Sequence, residues 1–353
     1  MELTLLAFVL NEILNERKMN LFKLISILAI LLNSIWSKGQ VSAPNSQLQL
    51  IATIELPNVS GRIDHLAFDS DHQILYVAAL GNNTVEVVDL KSRRVIHTIQ
   101  NLDEPQGLAY IPVNHMLVVA NGGNGECNVY NTIDYQKTAS VQLGSDADNV
   151  RYDAKGNKIY VGYGNGSLAI IAVNGWKKIA DIRLTGHPES FQIDKTSNKI
   201  YVNVPDTHQV EVIDLTKQTV SERWKITEAS SNFPMSLDEK GHRLMIGCRH
   251  PSRLLILDTK TGKTISSVES DSDTDDIFFN QSDQLIYMSC GSGHVDLFKQ
   301  IGTNQYERQL KLESRTGART SLFLATLDQL AVAAPSRLGS NAQIMIYKYV
   351  SVN

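Results

Sequence analysis

The sequence predicts an all-β protein, a seven-bladed β-propeller of four-stranded antiparallel blades, and three observations carry that prediction. The first is a short apolar core that recurs seven times: "LYVAAL" around Tyr76, "LVVANG" around Val118, "IYVGYG" around Tyr160, "IYVNVP" around Tyr201, "LMIGCR" around Met245, "IYMSCG" around Tyr287 and "LAVAAP" around Ala331. Successive spacings are 42, 42, 41, 44, 42 and 44 residues, which is the period of a propeller blade. The second is texture: the runs are brief, rich in Val, Ile and Tyr, and separated by Gly, Asn, Asp and Pro turns, which reads as strand after strand without helix. The third is the match between the ends. The last unit, residues 317 to 350, has three strands, while "LQLIATIEL" at residues 48 to 56 is an unmatched strand ahead of the first unit. Pairing the two completes the seventh blade, closes the ring and removes an open sheet edge.

The elements follow in chain order. Residues 1–18 read as an upstream misread start, with Met19 as the true one. Residues 19–39 have the three-part layout of a signal peptide: Lys23, an apolar run from Leu24 to Trp36, then small Ser37 and Gly39. The expected localisation is exported, periplasmic or secreted, with no membrane span after cleavage; retention of the signal as an anchor is the alternative. Residues 40–47 form a linker, and 48–353 a single propeller. Within each unit a first run such as "HLAFD" or "NVRYD" passes through a polar turn such as "AKGN" into the apolar core. A third run follows, "TVEVVDL" or "QVEVIDL" for example, and a fourth such as "RVIHTIQ" closes most units.

Bulk properties narrow the function. A hydrophobic content of 42% with 20% charged residues is that of a folded chain, and a net charge of −4 offers no basic excess for phosphates, so nucleic acid is not an expected partner. Cys127, Cys248 and Cys290 lack paired zinc-site spacing. They are expected to be buried free thiols. Hydrolase elbow, zinc-protease, Walker and haem-attachment motifs are absent.

The "IYV" cores, the "VEVVDL" and "VEVIDL" runs and the turn "LDTKTGKTI" at residues 257 to 265 resemble the YVTN-repeat, YncE-like family of exported bacterial seven-bladed propellers. The resemblance spans essentially the whole mature chain. It implies a shape and a compartment and carries over no catalytic residue, since related repeats occur in binding proteins, lactonases and redox enzymes.

In a propeller, loops from each outer strand to the next inner strand and loops joining second to third strands open on one face around the channel. Register places His65, Gly107, Asn149, Ser190, Pro234, Asp276 and Ser321 at equivalent inner-strand starts, and the residues at this mouth differ from blade to blade while the cores do not. Asp64, His65, Asp148, Asn149, His187, Glu189, Asp275 and Asp276 could converge on a divalent cation, with Asp64, His65, Asp148 and Glu189 the leading ligands; rim solvation and turn capping is the plainer role for such residues. Arg62, Arg249 and Arg319 could clamp a carboxylate or phosphate or pair with the neighbouring acids. Gln106 and Tyr163 complete the candidate surface. The expectation is a binding module, monomeric, whose mouth recognises a small polar ligand, a cation or another envelope protein. The alternative is a metal-assisted lactonase or related hydrolase with His65 or His187 as general base.

Overall fold

The structure is a computed structural model, and it describes residues 46–351. The expected misread start, the signal peptide and all but the end of the linker lie outside the described residues. Among the described residues, twenty-eight strands form seven four-stranded sheets, six of them built from consecutive strands. The seventh contains Thr320–Leu324, Gln329–Ala334 and Ala342–Ser351, with Ser46–Leu56 hydrogen-bonded to the last of these as its fourth strand. The ring is closed by the two ends of the chain, as the orphan strand predicts. Inner strands of successive blades touch all the way round, and that of blade seven touches that of blade one.

Burial explains why the repeat is legible. Second strands such as Ile74–Ala79 are packed on both faces by neighbouring blades and are buried almost continuously, so they read as unbroken apolar runs. Outer strands such as Arg94–Ile99 are largely exposed and mix polar with apolar residues. The core therefore lies between blades: Tyr160, Leu168 and Ile170 of blade three pack against Phe191, Ile200 and Val202 of blade four. The repeated tyrosines Tyr76, Tyr201 and Tyr287 are almost wholly inaccessible, and burying a side chain of that size stabilises the fold by roughly 2–3 kcal/mol.

Turn chemistry repeats as well. The residue ending each of several third strands accepts a backbone N–H two residues on: Asp89 from Lys91, Asn131 from Ile133, Asp214 from Thr216 and Asp258 from Lys260, at 2.8 to 3.0 Å. That is the Asx turn, and it accounts for the recurrent "VVDL" and "VIDL". Asn157 and Asn198, which open the twice-repeated "NKIYV", stand at φ 49° and 56°, left-handed positions that Asn tolerates better than most residues.

One register expectation needs correction. Leu322 pairs with Ala331 as Ala67 pairs with Tyr76, so Thr320, not Ser321, stands level with His65. The interval from inner-strand start to core residue is 11 in the other six blades, and it leads to 320 when applied to Ala331. Thr320 uses this position to close the ring, its hydroxyl donating to the Ile63 carbonyl of blade one at 3.3 Å. Cys127, Cys248 and Cys290 are buried and free, with burial the main influence raising each thiol pKa, in Cys127 and Cys248 to about 12. Among the described residues no helix is long and apolar enough to cross a membrane.

Candidate functional site

Inner-strand starts converge at the mouth because each lies at the axis end of its blade. Gly107 makes room there: a Cβ on it would come within 1.9 Å of the Asp148 carbonyl oxygen, so blade three can bring Asp148 and Asn149 inward only because blade two offers glycine. Asp64, Asp148, Asn149 and Asp276 are all buried.

His65 lies at the centre. Its Nδ1 is 3.6 Å from Asp276, and its Nε2 is 3.8 Å from Asp64 and 3.9 Å from Asp148. Burial alone would lower its pKa, but Asp276, Asp64 and Asp148 outweigh it and raise it to about 10. The imidazole is thus held as a cation. Asp276 also accepts the Ser321 backbone N–H at 2.8 Å, which fixes its position against His65. Burial raises the pKa of Asp64 despite His65 and the Arg62 guanidinium, which pairs with it at 2.7 Å from a half-exposed position on the rim.

A second cluster adjoins the first. His187 Nδ1 lies 2.7 Å from the Gly164 carbonyl; an N–H there donates to that oxygen and leaves Nε2 turned toward Asp148 Oδ2 at 3.9 Å. Asp148, His187 and Glu189 each present one donor atom, all within 4.8 Å of one another. Asp148 Oδ1 and Asn149 Oδ1 are buried with no hydrogen-bond partner among the described residues, a costly arrangement for protein groups alone. Burial and the nearby Asp148 charge push Glu189 up to about 8. Burial would also raise Asp148, yet the His187 and His65 imidazoles and Arg62 hold it below the usual carboxylate range. An adjoining cavity, lined by Arg62, Asp64, His65, Asp148, Asn149 and Glu189 among others but not by His187, measures about 20 Å³. That volume admits one water or one ion and no organic molecule.

The remaining candidates divide. Arg249 pairs with Asp275, donates from Nε to the Thr274 carbonyl at 2.9 Å and lies over the Phe233 ring at 3.9 Å. Burial is the main cause raising Asp275 to about 7, partly offset by Arg249. Arg319 reaches Asp273 at 2.9 Å and Asp275 at 3.9 Å. These two arginines are therefore committed to neighbouring acids rather than free as a clamp. Gln106 donates to Asp146 at 3.3 Å on the rim. Tyr163 turns away, its hydroxyl donating to Asp181 on the outer strand of its own blade at 2.8 Å. Of the four leading metal ligands, Asp148 and Glu189 come together with His187, whereas Asp64 is engaged by Arg62 and His65 sits among carboxylates.

Sequence reasoning missed Asp146, 3.4 Å from His187 Nδ1, and Asp273, shared by Arg249 and Arg319. Both lie in loops that lead into inner strands at the mouth, and their place two residues before Asp148 and Asp275 was the available signal. It also missed Arg151, the one arginine at its inner-strand level, where the other blades carry Ala67, Ala109, Gln192, Ser236, Phe278 and Leu322.

Fold and mouth together define a seven-bladed β-propeller with a charged, nearly closed mouth. Comparison with solved structures agrees on the fold. A chain of Kuenenia stuttgartiensis hydrazine synthase superposes with a TM-score of 0.73 at 14% identity, over 85% of this chain and 99% of that one. A chain of the mitotic checkpoint complex does so with a TM-score of 0.74 at 13% identity, over 88% and 95%. At such identities the likeness is one of fold alone. No protein-family model and no curated protein matches the sequence.

Proposed function

We propose that this chain is an exported binding propeller of the YVTN-repeat type that holds a divalent cation at Asp148, His187 and Glu189 and recognises a small polar ligand across the mouth above it. The observation that carries the reading is the orientation of His187. Its Nδ1 faces a backbone carbonyl, the usual outer contact of a metal-binding imidazole, and its Nε2 stands 3.9 Å from Asp148 Oδ2. That gap is too long for a hydrogen bond and leaves Nε2 free to coordinate, and an ion with bonds of about 2.0–2.2 Å would draw the two atoms in to roughly 3.4 Å, the ligand spacing of a tetrahedral site. The adjoining cavity of about 20 Å³, which Asp148 and Glu189 line and His187 does not, is too small for an organic substrate.

Binding is favoured over hydrolysis with His65 as base by the state of that imidazole. A general base must be unprotonated near neutral pH, and His65, raised to about 10 among three carboxylates, holds its proton. Asp148, His187 and Glu189 orient and neutralise the ion, and its entry displaces protons from His187 and Glu189. Half-exposed Arg62 offers the ligand a cationic contact at the rim. Export and family membership rest on the signal-like segment and the repeat residues.

Calorimetric titration of the mature protein with Zn²⁺, Mn²⁺ and Ca²⁺ tests this. One of them should bind at one ion per chain, with affinity at least about tenfold weaker in Asp148→Asn and His187→Ala and unchanged in the rim variant Asp273→Asn. Failure of all three ions to bind, or equal binding by every variant, contradicts the proposal.

A further inference from the structure

Beneath the mouth the channel widens into a second, larger space of about 600 Å³. His65 and Ser190 belong to both cavities and form the partition between them. The chamber extends to Ser70, Ala325 and Thr326, in the turns between first and second strands, so it reaches the face opposite the mouth. Its volume lies within the range of small-molecule sites, and its walls have the mixed character such sites share. Phe68, Tyr110, Tyr152, Phe279 and Phe323 line it alongside a single guanidinium, that of Arg151.

Arg151 distinguishes this chamber from a mere void. Its Nη1 donates to the Val150 carbonyl at 2.8 Å and its Nη2 to Ser190 Oγ at 3.4 Å. Of the five N–H donors of a guanidinium, three are left without a partner among the described residues. No carboxylate lies within ion-pairing distance of it, in contrast to Arg249 and Arg319 at the mouth. Asp276, which also lines the chamber, and Asp148 act on it only from beyond that distance; a partly buried guanidinium so incompletely neutralised is costly, and a planar fork of donors matches a carboxylate. The surrounding aromatic rings supply apolar contact for the body of such a ligand.

We infer that the chamber is a binding site for a small organic carboxylate with an apolar or aromatic body, which enters from the face opposite the mouth and places its carboxylate on Arg151. The site is separate from the cation site in entrance and in ligand. A monocarboxylate is the match because one guanidinium faces it and the rest of the wall near the entrance is largely aromatic.

Calorimetry with 4-phenylbutyrate, its uncharged amide and 4-phenylbutylamine tests this on the native chain. The carboxylate should bind, with the amide weaker by about tenfold or more and the amine not detectable, as loss of a charge-assisted contact requires. Arg151→Gln should reduce carboxylate affinity by about tenfold while Arg151→Lys retains part of it, and Arg319→Gln at the mouth should leave it unchanged. Equal binding of acid and amide, or no saturable binding of the acid, would overturn the inference without any variant having to fold. Loss of carboxylate binding in Arg319→Gln but not in Arg151→Gln would move the site to the mouth and overturn it equally.

Discussion

Glu189→Gln isolates the electrostatic state of the mouth. In the folded chain burial and the Asp148 charge raise the Glu189 carboxyl from 4.5 to about 8, so between those values the folded state keeps a proton that the unfolded state releases. Stability contributed by this group is fully present below about pH 4.5 and is lost as pH rises through about 8. The rise corresponds to about 5 kcal/mol at 1.36 kcal/mol per pKa unit. Glu189 retains partial exposure, and solvent screening reduces this to about 1–3 kcal/mol. Gln reproduces the shape of the protonated acid and cannot ionise. Urea unfolding in the presence of chelator, followed across the pH range, should therefore show parent and variant alike near pH 4.5. Above about pH 8 the variant should be the more stable by about 1–3 kcal/mol. A variant no more stable than the parent at alkaline pH, or a difference independent of pH, refutes the claim that Glu189 is held protonated by its surroundings.

Three further outcomes follow from the geometry. Gly107→Ala forces a Cβ against the Asp148 carbonyl at 1.9 Å and should cost about 1–3 kcal/mol, the usual range for overpacking, while weakening cation binding; a thermal melt and an ion titration check both. The buried thiols of Cys127, Cys248 and Cys290 should react with Ellman's reagent only on denaturation, so prompt labelling of the native chain would contradict their burial. Removing residues through Leu56 leaves the strand Ala342–Ser351 without its outer partner, and size-exclusion chromatography should show aggregation or dimer formation through the opened edge.

Most of the fold was legible because the repeat is a packing requirement. Every blade presents a second strand covered on both faces, so a large apolar residue recurs at near-constant spacing, as in Tyr76, Val118, Tyr160, Tyr201, Met245 and Tyr287. The closing strand was legible for the same reason, as one strand too many at one end and one too few at the other. The mouth was legible as a place, since Asp64, His65, Asp148 and Asp276 do meet at the axis. Its pairings were not. Whether His187 or His65 joins Asp148 and Glu189 depends on a carbonyl from the loop at Gly164, and the fate of Tyr163 depends on Asp181, on the fourth strand of the same blade. Distances between blades are set by side-chain packing around the axis, which no repeat alignment contains. The division of the channel into a cavity of about 20 Å³ and a chamber of about 600 Å³ is of this kind. So is the unpaired state of Arg151, although its singularity among seven equivalent positions was visible in "NVRYD".

The central claim is that a divalent ion sits between Asp148, His187 and Glu189, and anomalous diffraction from crystals equilibrated with Mn²⁺ or Zn²⁺ tests it most directly. The account predicts one strong anomalous peak at the mouth within about 2.0–2.3 Å of His187 Nε2 and of carboxylate oxygens from Asp148 and Glu189, absent from crystals of Asp148→Asn. A peak elsewhere on the propeller, or an empty mouth in crystals saturated with either ion, would contradict it.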